Sequence, residues 1–121
     1  MNNFLKNFIK QDSRSKYEFG SSFEDSRVHL DPYPAHQGDP VRINYQGLLK
    51  SSGAQEVYLH YGFDNWNSEV ATVKMDQQYD GAFLTAIPAH HHTHRELNFC
   101  FKDSANNWDN NNGSNWTVPF R

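Results

Sequence analysis

The sequence predicts an all-β domain, an antiparallel sandwich, from three observations. From residue 41 onward, short apolar runs alternate with period two; clusters of turn formers separate these runs; and no convincing helical repeat lies between them. At 121 residues the chain is one domain by length. A domain of that size buries about two-thirds of its unfolded surface.

The elements follow in order. Phe4, Leu5, Phe8 and Ile9 share one face of a short N-terminal helix that Asn2 or Asn3 would cap. A helix so short is marginal alone, so it docks on its own domain, docks on another chain, or remains a disordered lead-in. Residues 11–26 are polar and serine-rich and read as a linker, and residues 30–40 carry three prolines and a glycine, which makes them irregular and superficial. These features divide the chain into an extension over 1–38 and a β-sandwich over 39–121. Within the sandwich, "VRINYQGLL" puts Val41, Ile43 and Tyr45 on one face, and "EVYLHYGF" turns Val57, Leu59 and Tyr61 inward with Tyr58 and His60 outward. "VATVKM" and "AFLTAI" follow. "RELNFCF" then places Leu97, Phe99 and Phe101 on one side, and "NWTVPF" closes the chain with Trp116, Val118 and Phe120 alternating. Trp116 therefore reads as core.

Composition narrows the function classes. The formal net charge is -3 with the charges dispersed, which leaves no basic footprint for nucleic acid. No run approaches the roughly 20 apolar residues of a membrane helix. The N-terminus has neither the apolar core nor the cleavage site of a signal peptide, so the protein is expected in the cytoplasm if the chain is complete. It is expected outside the cell if the chain is a fragment of a secreted enzyme. The single cysteine, Cys100, excludes an intrachain disulfide and a four-thiolate zinc site, and in "LNFCF" it reads as a buried, inert thiol. Aromatic residues make up 15%, more than packing alone requires, which points to rings at the surface.

Catalytic chemistry leaves no trace. Asp64, Glu69, Asp103 and Asp109 all lie in polar surroundings, without the environmental contrast that separates a general acid from a base. There is no glycine-rich phosphate loop, nucleophile elbow or HExxH. No enzyme activity and no cofactor are expected. "HHHTH" (His90, His91, His92, His94) would align three imidazoles on a strand. Its place after "IPA" suits a solvated connection better, and no metal site is assigned to it. "DNNNG" at Asp109 has a partial likeness to a calcium loop but lacks the spacing and the bidentate glutamate.

The aromatics remain. "HYGFDNWN" leaves a strand for a loop holding Trp66, and "NNWDNNNG" holds Trp108 in another. Each ring is either an anchor folded over the core or a platform for a ligand. Asparagine and aspartate flank both, a format that suits sugar. The CH face of a pyranose packs on an indole plane, and short amides at the rim both donate to and accept from its hydroxyls.

These residues resemble the starch-binding modules of carbohydrate-binding family 25, in which a strand like "VYLHYGFDNW" is followed by one like "LNFCFKDSANNWDNNNGSNW". The resemblance covers residues 39–120, about two-thirds of the chain. It implies an immunoglobulin-like β-sandwich that binds α-1,4-glucan (starch, glycogen, malto-oligosaccharides) without cleaving it. By the same resemblance the sugar rests on His60, Trp66 and Trp108. Asn110 and Asn111 hydrogen-bond its hydroxyls, with Asn65 and Asp109 as further candidates that could instead serve the loop itself. A glucan-active enzyme, or self-association through residues 1–10, would supply a protein partner. The alternative reading is a protein-interaction or scaffold domain that works through the N-terminal helix.

Overall fold

The structure is a computed structural model that describes residues 25–89 and 93–121. Two antiparallel sheets pack face to face. Nine strands are described: β1 (Val28–Asp31), β2 (Val41–Tyr45), β3 (Val57–Phe63), β4 (Ser68–Lys74), β5 (Asp76–Gln77), β6 (Phe83–Ile87), β7 (Glu96–Asp103), β8 (Trp108–Asp109) and β9 (Trp116–Pro119). A one-turn helix, α1 (Leu48–Ser51), follows β2. The first sheet runs β9-β7-β3-β4, with β8 also paired to β7, and the second runs β1-β2-β6-β5. β8 and β9 share one edge of β7: Trp116 lies opposite Phe99, and Trp108 opposite Lys102.

The period-two pattern decides which side chains fill the interior. Val57, Leu59 and Phe63 of β3 pack with Leu97, Phe99 and Phe101 of β7, all fully buried, against Val41, Ile43 and Tyr45 of β2. Trp116 is 1% exposed and lies nearly parallel to Phe99 at 6.0 Å. Its indole N–H donates to Asp25 Oδ2 at 3.2 Å, and the Arg27 guanidinium sits 5.3 Å from its centroid. The same Asp25 carboxyl accepts from Arg27, which is the main reason its pKa is held down to about 2.

Three features depart from the expectations. The sheet begins earlier than the prolines suggested: β1 pairs with β2 along its length and sends Val28 and Leu30 into the core from within the stretch expected to be an extension. The proline-rich segment is irregular, yet Ala35 within it is wholly buried and bridges Phe120. His94 is 4% exposed rather than solvated. Its ring lies 4.2 Å from that of Phe63, its Nδ1 is 3.0 Å from Asp64 Oδ2, and the Gln37 side chain bonds both its backbone N–H and its carbonyl. The expected N-terminal helix and His90, His91 and His92 lie outside the described residues.

Candidate functional site

The outer face of the first sheet gathers the aromatic residues. Strand register alone brings several side chains together. His60 lies opposite Thr72 on one side and Cys100 on the other, Tyr58 opposite Lys74 and Lys102, and Lys102 opposite Trp108. All of these share the face that β3 turns away from the core. Trp66 joins them from the turn after β3.

That turn has an unusual backbone. Asp64, Asn65 and Trp66 have φ of 55°, 62° and 65° in succession. Asp and Asn tolerate the left-handed region, but for other L-residues it costs about 1–2 kcal/mol. The chain is held there by side chains. The Asp64 carboxylate accepts from Arg95 N at 2.7 Å, Glu96 N at 3.2 Å and His94 Nδ1, and these bonds draw its pKa down. Asn67 returns an amide bond to Asp64 O at 2.8 Å. Beneath the indole lies Gly62, whose missing side chain makes room: a Cβ there would stand 3.0 Å from Trp66 Cε3.

The second loop is braced in the same manner. The Asp103 carboxylate accepts from the N–H groups of Ala105 and Asn107 and from the Asn107 side chain. An Asx turn of this kind fixes the chain just before Trp108. Trp108 is left 47% exposed, with Lys102 Nζ 5.9 Å from its centroid. Lys102 in turn donates to Asn106 Oδ1 at 3.0 Å and lies 5.2 Å from the Tyr58 ring.

The three rings meet around His60. Its imidazole is nearly parallel to the Trp66 indole, 5.3 Å away at 20°, and almost perpendicular to Trp108, 5.6 Å away at 83°. The two indoles are therefore steeply inclined to each other, and together they form a bent shelf. The His60 Nδ1 bonds Thr72 Oγ1 at 2.8 Å, which holds the ring plane. Partial burial, and then the nearby Lys102 charge, lower the His60 pKa, so the imidazole is neutral at pH 7.

The polar candidates divide. Asn65 is exposed beside Trp66, and among the described residues its side chain makes no hydrogen bond. Asn110 is exposed two residues after Trp108, with its Oδ1 accepting from Gly113 N. Asn111 is turned into its own loop: it accepts from Arg27 Nη2 at 3.0 Å and donates to Asn115 O at 3.1 Å. Asp109 points inward, 5% exposed, and takes the Tyr45 hydroxyl at 2.6 Å, the Leu48 N–H and the Asn111 N–H. Protein donors brace that loop. Burial and the Asp109 carboxylate push the Tyr45 hydroxyl pKa up. Cys100 is buried with its thiol pushed up to about 11, mainly by desolvation, which leaves it unreactive at neutral pH. Among the described residues no group of three or more His, Cys, Asp or Glu side chains could hold a metal ion. None of the described helices is long and apolar enough to cross a membrane.

Lys102, Thr72, Tyr58 and Asn98 were not anticipated as part of the site. The signal lay in the outward positions of "RELNFCFKD": Asn98, Cys100 and Lys102 alternate with the core residues and fall beside the outward residues of β3.

A two-sheet domain with a bent aromatic shelf on one outer face has the form of a carbohydrate-binding module. The sequence profile of the starch/carbohydrate-binding modules of family 53 matches residues 41–99, a span that includes His60 and Trp66. An α-amylase of Clostridium acetobutylicum is 33% identical over 105 residues. The match takes in 86% of this chain, and the chain spans 14% of that relative's length. No solved structure matches the chain significantly. Residues 41–99 are thus similar to a starch-binding carbohydrate-binding module, and the two likenesses together support non-catalytic binding of starch-type glucan. The matching profile is that of family 53 rather than the family 25 resemblance drawn from the motifs, and the class, starch binding, is the same.

Proposed function

We propose that the His60–Trp66–Trp108 shelf is the surface that binds α-1,4-glucan, in the manner of family 25 modules. The observation that carries this reading is the steep inclination between the two indoles on either side of His60. An α-1,4-linked chain curves, so successive glucose faces can meet two tilted planes. A flat β-1,4 strip could lie on only one. Asn65 and the exposed side of Asn110 offer amide groups at the rim, and Lys102 adds a charged donor beside Trp108. Asn111 and Asp109 support the reading indirectly, by fixing the loop that presents Trp108.

Magnitudes fit a reversible binder. If a ring and a sugar face hide ~80 Å² together, stacking contributes about 2 kcal/mol at ~25 cal/mol/Å². Two platforms and a few net hydrogen bonds of ~1 kcal/mol each must outweigh several kcal/mol of association cost. The resulting dissociation constant is about 10 µM to 1 mM. The braced loops keep the ordering cost low, because the rings are held before sugar arrives.

The likeness to a segment of an α-amylase supports a setting beside a glucan-active catalytic domain or partner, with the module holding polymer while chemistry occurs elsewhere. Such a setting favours an extracellular polymer. Affinity electrophoresis through amylose tests the shelf: the wild-type protein should be retarded, and Trp66→Ala should be retarded far less, with a weak residual affinity from His60 and Trp108. Undiminished retardation of Trp66→Ala would place the sugar elsewhere.

A further inference from the structure

We infer that Asn98, a buried residue of β7, sets the orientation of Trp66 and through it the affinity of the shelf. This rests on the α-glucan reading of that surface.

Asn98 is 3% exposed, so it is a positioning residue and not part of the contact surface. Its Oδ1 accepts the backbone N–H of Trp66 at 3.1 Å. Its Nδ2 donates to Glu96 Oε2 at 2.8 Å and to Thr117 Oγ1 at 3.3 Å. The Glu96 carboxylate can only accept, so the amide nitrogen must face it, and the amide oxygen is then aimed at Trp66. One acceptor side chain thus fixes which end of Asn98 meets the turn.

The turn needs such a constraint. Trp66 is a bulky residue at φ 65°, a conformation that persists only where the surroundings over-determine it. Asp64 and Asn67 anchor the turn on either side of Trp66. The peptide N–H between these anchors is the one Asn98 takes. Gly62, opposite Asn98 in the β3–β7 register, completes the device by letting the indole lie close above the strand. Asn98 holds the backbone down, Gly62 leaves space for the ring, and the indole comes to rest nearly parallel to His60. Without the Asn98 oxygen, residue 66 is free to relax to negative φ, and its ring swings off the shelf.

The test is a double-mutant cycle on maltoheptaose affinity, read beside the NMR shifts of the His60 imidazole protons. Asn98→Ala should bind about tenfold more weakly, and adding it to Trp66→Ala should cost nothing further. The ring-current shift that the Trp66 indole imposes on His60 should collapse in Asn98→Ala as it does in Trp66→Ala. A general loosening of the sheet would weaken binding equally in both backgrounds and leave the His60 shifts in place; that result overturns the inference. Should Asn98→Ala fail to fold, Gly62→Ala lifts the ring from below with Asn98 intact, and it must show the same lost shift and the same non-additivity. A Trp66→Ala protein with wild-type affinity would overturn the shelf reading instead. The His60 shifts would then still decide whether Asn98 orients the indole.

Discussion

Trp108 and Trp116 are the same side chain, close together in the chain and hydrogen-bonded along the same edge of the same strand, yet they have opposite fates. Trp116 sits opposite Phe99 and is buried, whereas Trp108 sits opposite Lys102 and is half exposed. Positions 99 and 102 of β7 differ by an odd number, and in a strand an odd step changes the face. Nothing intrinsic to tryptophan assigns it to core or platform; register does. The loop between them makes this possible. Its four left-handed or glycine positions, Asn111, Asn112, Gly113 and Asn115, let the chain leave β8 and re-enter as β9 with the parity changed.

The two rings should therefore answer mutation in opposite ways. Trp116→Ala should lower stability by about 3–5 kcal/mol, because it empties a core site and removes one donor from the Asp25 carboxyl, which keeps its bonds to Arg27. If the domain sits at the low end of small-domain stability, about 5 kcal/mol, that loss leaves a large unfolded fraction. Trp108→Ala should leave the melting temperature within a few degrees of wild type while lowering maltoheptaose affinity about tenfold or more. Thermal melts and calorimetric titration of the two proteins together check both halves. A large stability loss in Trp108→Ala would make it a core anchor and dissolve the contrast.

His60 sharpens the same comparison through pH. Its folded-state pKa lies below the usual 6.5, so the neutral ring predominates at pH 7, and sugar stacked against it removes more water and lowers the pKa further. Affinity should be flat above pH 6.5 and fall several-fold as the imidazole takes up a proton below that. The Trp66 and Trp108 indoles do not titrate, so a His60→Phe protein should lose this dependence while keeping a stacking ring.

What the sequence revealed follows the same division between parity and context. The inward sets of β2, β3, β7 and β9 could be read because period two is a local property, and the structure buries them. Trp66 and Trp108 stand out because asparagine and aspartate flank both rings in turn-forming stretches, His60 enters through the family resemblance, and the structure brings the three together. β1 escaped because Val28 and Leu30 are too few to show a period ahead of the prolines. The sequence around His94 reads as solvated because the residue's burial depends on Phe63 and Asp64, some thirty positions away, which meet it only through the β3–β7 pairing. Asn98 was hidden for a related reason. A polar residue between Leu97 and Phe99 looks like the wet face of a strand, and only the turn folded back over it makes it a buried hinge point.

The central claim is that a bent aromatic shelf selects a curved glucan, and tryptophan fluorescence during parallel titrations with maltoheptaose and cellohexaose tests it most directly. Saturable quenching by maltoheptaose, with a dissociation constant of about 10 µM to 1 mM and no response to cellohexaose, is the predicted result. Equal responses to both sugars, or none to either from folded protein, would contradict it.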